Sequence, residues 1–327
     1  MKKLIQQFPE QLEQALNIAR SSVLSIGHAQ VRDVVVSGLG GSGIGATIVQ
    51  EYVYDKLAVP FTVNKTYFIP RFTGPATLFI ACSYSGNTEE TLQAVRDARR
   101  CGAQIVCITS GGALEEFARK HKLDLILIPS GMPPRACLGY SIVQLLHVLK
   151  KAGLLKARFE REIAAAADGI RRETKAMQSR AKKIAQLLHG KHVAIYGMAG
   201  QEGLMIRFRQ QINENSKALC WHNVIPEMTH NEIVGWRAPH TDVAVLYCFS
   251  PNDFDRNLTR LRILKGVVKS YTPHTADVAM PGDTWWERAF RFIHFTDWVS
   301  VFLADLYEQD AVEVKVIDHL KGALAKK

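Results

Sequence analysis

The feature that most constrains this chain is a plan written twice. An apolar run that ends in a glycine turn and opens a helical stretch occupies residues 34–45, and the same order returns at 193–203. A second module, an apolar run followed by a polar loop and a helical stretch, occupies residues 78–96 and returns at 243–262, with Cys82 and Cys248 near the loop. The copies lie about 160 residues apart in both cases, and self-similarity at a fixed spacing marks a duplicated scaffold. The loops differ: the first is rich in hydroxyls, whereas the second carries Pro251 and Asp253. Only the first copy is therefore expected to keep an anion site.

The chain of 327 residues is also long enough for two domains of about 150 residues. In the first half, strand signals at residues 31–37, 61–67, 76–82, 105–108 and 123–128 alternate with helical signals at 44–54, 89–101 and 114–121. Such alternation predicts an α/β fold whose parallel sheet is covered by helices on both faces, doubly wound in the flavodoxin manner. A helix over 141–155 and a long charged helical stretch over 158–188 follow, and a new strand opens at 192–196. The expected organisation is a domain over 1–155, a helical connection over 156–190, and a second domain over 191–327 with a C-terminal helical tail at 285–306.

Composition narrows the partners. No apolar run approaches the roughly 18 residues of a membrane span, and the amphipathic start of the chain reads as a first helix rather than a signal peptide, so a cytoplasmic protein is expected. The six scattered cysteines form no C-x-x-C pair and read as free thiols, mostly buried in apolar runs. The net charge of +10 is spread along helices and accompanies no nucleic-acid module, which suits a small phosphorylated metabolite at least as well as nucleic acid, while a solvated surface accounts for much of it with no partner.

Several segments carry chemistry. Gly38–Gly43 satisfies G-x-G-x-x-G after a strand, but the next strand offers Asn64 and Lys65 where a dinucleotide site needs an acid, so no nucleotide cofactor is expected. Gly41 and Gly43 let backbone approach a ligand closely, and Ser42 adds a hydroxyl at the mouth of the following helix. The loop from Ser83 to Thr88 places three hydroxyls (Ser83, Ser85, Thr88) where a helix begins, suited to a phosphate; the competing reading is that Asn87 or Thr88 caps that helix. Arg135, behind Pro133 and Pro134, is a fixed cation able to stabilise developing negative charge. Glu214 and His230 are of the types used as general base and proton shuttle. The histidines and acids show no metal-ligand spacing, so no metal is expected.

Together these segments resemble the bifunctional phosphoglucose/phosphomannose isomerase family, built from two sugar-isomerase (SIS) domains. The resemblance rests on SGLGGSGIG at 37–45, SYSGNTEET at 83–91, PPRACLGYS at 133–141, NENSK at 213–217, PEMTHNEIVGW at 226–236 and VIDHLK at 316–321. It implies that Ser42, Ser83, Ser85 and Thr88 hold the sugar phosphate, that Glu214 moves a proton between C2 and C1, and that Arg135 stabilises the enediolate. It further implies that His230 and Lys321 assist ring opening, in a homodimer with its active site at the subunit interface. Family members that accept mannose 6-phosphate use a threonine on the C-terminal segment, and residues 311–316 contain none. The resemblance therefore implies glucose 6-phosphate/fructose 6-phosphate interconversion and leaves mannose 6-phosphate open. Two alternatives remain at this point: another SIS-type isomerase, and a sugar-phosphate-binding regulator without catalysis.

Overall fold

The computed structural model describes residues 1–26 and 31–324. They form two compact units, one of residues 7–171 and 282–290, the other of residues 1–6, 172–281 and 291 onward. The expected first helix is two helices, α1 (Lys2–Gln6) and α2 (Phe8–Ser21). Pro9 explains the break: inside a continuing helix its ring would collide with the carbonyl four residues back, whereas in the first turn of α2 it is harmless.

In the first unit, β1 (Asp33–Ser37), α3 (Gly40–Val53), β2 (Phe61–Asn64), β3 (Thr77–Ser83), α4 (Glu89–Arg100), β4 (Gln104–Thr109), α5 (Gly112–Lys120) and β5 (Asp124–Leu127) alternate as the sequence predicts. The sheet is parallel throughout, in the order β2-β1-β3-β4-β5. Every residue of β3 is buried, as befits a strand covered on both faces. On one of those faces Val35, Phe79 and Cys107 pack against Ala94, Val95 and Ala98 of α4 and Leu114 of α5. Then α6 (Leu138–Lys151), buried along most of its length, packs against α2 and α3. The long α7 (Phe159–Leu188) contributes residues to both units.

One boundary shifts in a way that matters. The sequence places the start of α3 at residue 44, but it begins at Gly40, so the glycines read as a turn are its first turn. A Cβ at Gly43 would lie 2.4 Å from the Gly38 carbonyl oxygen, so the helix folds straight back onto the strand end only because glycine is there.

The second unit repeats the plan with β6 (His192–Met198), α8 (Glu202–Ser216), β7 (Cys220–Ile225), β8 (Val243–Phe249), α9 (Asp255–Lys269) and β9 (Thr275–Ala279). Its parallel sheet runs β7-β6-β8-β9, the order of the first four strands of the other sheet. Two helices follow, α10 (Trp285–Leu306) and α11 (Lys315–Leu324), the second with no buried residue. Of the cysteines, Cys101 is exposed and Cys220 half-buried, while the other four are buried as expected. No helix among the described residues is long and apolar enough to cross a membrane.

Candidate active site

In the first unit the structure brings three of the predicted segments together. Gly38 lies so close to its neighbours that a Cβ there would be 2.8 Å from the Cys82 carbonyl oxygen and 3.2 Å from Ser42 Cβ. A Cβ on Gly41 would be 2.9 Å from the Pro134 carbonyl oxygen. The end of β1, the first turn of α3, the end of β3 and the turn carrying Arg135 are thus in direct contact. Ser42, Ser83 and Arg135 are all buried, whereas Ser85 is exposed and Thr88 half-buried.

The hydroxyl loop is not a capping motif. No side chain caps α4; instead Thr88 Oγ1 and Ser83 Oγ are 2.9 Å apart, and Asn87 Oδ1 accepts from the Ala113 backbone N–H at 3.0 Å. Ser85 Oγ accepts from the Asn87 N–H at 3.3 Å. Nor does a side chain cap α3. Two helix N-termini with their partial positive charge therefore open beside Ser42, Ser83 and Thr88, the arrangement an anion uses. The loop is held from behind. Ser110 donates to the Tyr84 carbonyl through both N–H (3.0 Å) and Oγ (2.6 Å), Leu114 N–H donates to the Gly86 carbonyl at 2.9 Å, and Met132 N–H donates to Tyr84 Oη at 3.0 Å.

Two residues that the sequence did not single out for the site belong to this region. Lys65, just past the end of β2, runs its Cε to 3.7 Å from where a Gly43 Cβ would stand. Its signal was in plain view: it occupies the strand end where a dinucleotide fold would have an acid. The other is Gln11 on α2, whose amide bonds the backbone just after Arg135 at two points: Nε2 donates to the Ala136 carbonyl at 2.7 Å and Oε1 accepts from the Gly139 N–H at 2.9 Å. Nothing in the sequence distinguished it from the other glutamines of that helix.

The remaining predicted residues lie in the second unit. Glu214, half-buried in the last turn of α8, lines a cavity of about 420 Å³ with Asn213, Lys217, Leu219, Val314 and Ile317. Lys217 takes the left-handed conformation at the end of α8 (φ 57°) and donates its three ammonium protons to the carbonyls of Glu214 (2.6 Å), Asp310 (2.9 Å) and Glu313 (2.8 Å). It thereby fastens the turn before α11 to the helix that carries Glu214. Lys321 is exposed on α11 and is not among the residues lining that cavity.

Behind Glu214, α8 meets α10 along a buried polar seam. Arg207 pairs with Asp297 (Nη1 to Oδ1, 3.0 Å), Gln211 Nε2 donates to the same carboxylate at 2.7 Å, and Asn215 Nδ2 donates to Ser300 Oγ at 2.9 Å. Burial pulls the Arg207 pKa down, and the charges of Asp297 and Glu214 oppose that pull.

His230 is exposed at the end of the first of two short helical turns, and its segment is tied down by Glu232. That carboxylate accepts from Tyr196 Oη (2.6 Å), Trp221 Nε1 (2.8 Å) and Asn223 Nδ2 (2.6 Å), donors on β6 and β7. In the loop that duplicates Ser83–Thr88, Asp253 accepts from the Ser250 N–H and from Gln201 Nε2, both at 2.7 Å. The second-copy loop is thus closed on its own carboxylate. Among the described residues, no three His, Cys, Asp or Glu side chains gather as a metal-binding group.

Two parallel sheets of this order, flanked by helices, place the chain in the SIS fold class. The C-terminal domain of glucosamine-fructose-6-phosphate aminotransferase from Francisella tularensis has the same fold, with a TM-score of 0.78 over 96% of this chain and 98% of that one at 13% identity. Residues 177–324 match the family model for the bacterial phospho-glucose isomerase C-terminal SIS domain. The chain belongs to the bifunctional phosphoglucose/phosphomannose isomerase family. It is 39% identical to the protein of that name from Caldicellulosiruptor bescii, over 97% of both chains, and 32% identical to the one from Aquifex aeolicus, over 90% of this chain and 91% of that one.

Proposed function

We propose that this protein is a metal-independent aldose–ketose isomerase that interconverts glucose 6-phosphate and fructose 6-phosphate through an enediolate, with mannose 6-phosphate as a second aldose. The observation that carries the reading is the pair of uncapped helix N-termini beside Ser42, Ser83 and Thr88, in a chain of this family. Ser42, Ser83, Ser85 and Thr88 hold the phosphate, with Lys65 adding charge. The phosphate is a handle remote from the reacting carbons, and its binding energy orients them.

Proton transfer between C2 and C1 needs a carboxylate base, and the enediolate oxygen needs a cation. Glu214 is assigned the first task and Arg135 the second, on residue type and on correspondence with the family motifs. His230 and Lys321 are assigned to ring opening. The mannose assignment follows the names of the relatives: glucose and mannose 6-phosphates differ at C2 and give one and the same enediolate. Two doubly wound SIS-type domains, a cytoplasmic location and a homodimer with its active site at the subunit interface complete the proposal; the shared strand order of the two sheets supports the first of these.

Fructose 6-phosphate incubated with the protein in D2O tests the reading in one spectrum. The base takes a proton from C1 and, once it has exchanged with solvent, returns deuterium to C2. Repeated turnovers through an enediolate therefore build up deuterium at C2 of the aldose, and NMR separates glucose from mannose 6-phosphate. Aldose that stays free of deuterium at C2 after prolonged equilibration, or no aldose at all, contradicts the proposal.

A further inference from the structure

The Arg135 turn is held at both ends, by two prolines before it and by Gln11 after it. Pro133 and Pro134 restrict the backbone on the upstream side. Downstream, α6 begins at Leu138 without a side-chain cap, because Cys137 at its N-cap position makes no such bond. The first-turn amide of Gly139 would be one of the helix's unpaired donors. Gln11, from a helix more than a hundred residues earlier, accepts from that amide and donates to the Ala136 carbonyl with the other end of the same side chain. Gln11 is itself 6% exposed, and a Cβ on Gly139 would lie 2.7 Å from Gln11 Oε1, so the contact leaves no room for a side chain at 139. One buried amide therefore ties together two backbone groups that follow Arg135, at the junction of its turn with α6.

From this geometry we infer that Gln11 is a positioning residue for Arg135: it fixes the turn so that the guanidinium stands where negative charge develops. The inference rests on the role proposed for Arg135. A buried amide that serves two backbone groups rigidifies a turn only while both ends are matched, and a hydrocarbon of equal length leaves a donor and an acceptor unpaired in the interior. A natural comparison lies along the same helix pair: Gln144 Nε2 on α6 donates to the Ala15 carbonyl at 2.8 Å and is buried too, and that bond does not involve the turn.

The test is a double-mutant cycle on the full chain with fructose 6-phosphate as substrate. Gln11→Met should lower kcat about tenfold or more with little change in KM, whereas Gln144→Leu should leave kcat within about twofold. In the Arg135→Gln background, Gln11→Met should cost nothing further, because the group it positions is gone. Losses that multiply, or equal losses from Gln11→Met and Gln144→Leu, overturn the inference in favour of general loosening. If Arg135→Gln itself keeps full activity, the role of Arg135 fails instead, and the positioning claim is then read from the Arg135 side-chain NMR signal. That signal, assigned by its loss in Arg135→Gln, should shift or broaden in Gln11→Met and stay put in Gln144→Leu; an unmoved signal contradicts the inference.

Discussion

Gly86 lies so near Gly111 that a Cβ on it would fall 1.8 Å from the Gly111 carbonyl oxygen, and its φ of +71° is one that side chains rarely adopt. Both facts force glycine at the apex of the hydroxyl loop. Gly86→Ala should displace the loop from its backing segment. The expected result is a rise in KM for fructose 6-phosphate of about tenfold or more, with a smaller change in kcat, since the phosphate contributes binding throughout the reaction. Initial rates across substrate concentrations check this, and an unchanged KM would mean that the loop does not hold the phosphate.

Much of this architecture was readable beforehand because buried parallel strands are short apolar runs, and the β1, β3, β4 and β6 segments are of that kind. The strands β7 and β9 are not legible in the sequence: Cys220–Ile225 carries His222 and Asn223, and the five residues of β9 include Asp277, so neither shows an apolar run. Both lie at sheet edges, where burial constrains sequence less. The hydroxyl loop and Arg135 were legible as local motifs. Gln11 and the Arg207–Asp297 pair were not, because each joins segments far apart in sequence through ordinary residue types.

That buried pair gives a stability prediction. Asp297→Ala leaves the Arg207 charge buried without its carboxylate, a change that costs about 3–5 kcal/mol. Replacing both partners by apolar residues, Arg207→Met with Asp297→Leu, should recover most of that loss. Urea unfolding of the single and double variants measures it, and a single variant within about 1 kcal/mol of wild type would show that the pair is not buried as described.

His294 gives a pH dependence. It is fully buried, accepts from Trp298 Nε1 through Nε2 at 3.0 Å, and burial pulls its pKa down to about 4. In the unfolded chain the same imidazole takes a proton at about 6.5, so the unfolded state binds more protons between those values. This contribution to stability is complete above about pH 6.5 and is lost as the pH falls toward 4. Unfolding free energy should therefore drop by about 2 kcal/mol from this residue alone between pH 7 and pH 5. His294→Gln, which keeps an acceptor but does not titrate, should show a correspondingly flatter profile; parallel profiles would contradict the assignment.

The central claim is that Glu214 moves the proton without a metal. The direct measurement is conversion of fructose 6-phosphate to glucose 6-phosphate by purified protein in excess EDTA, with Glu214→Gln alongside. The account predicts full wild-type turnover in the chelator and a kcat lower by about a hundredfold or more in the variant. Turnover abolished by EDTA, or a Glu214→Gln protein as fast as wild type, would contradict it.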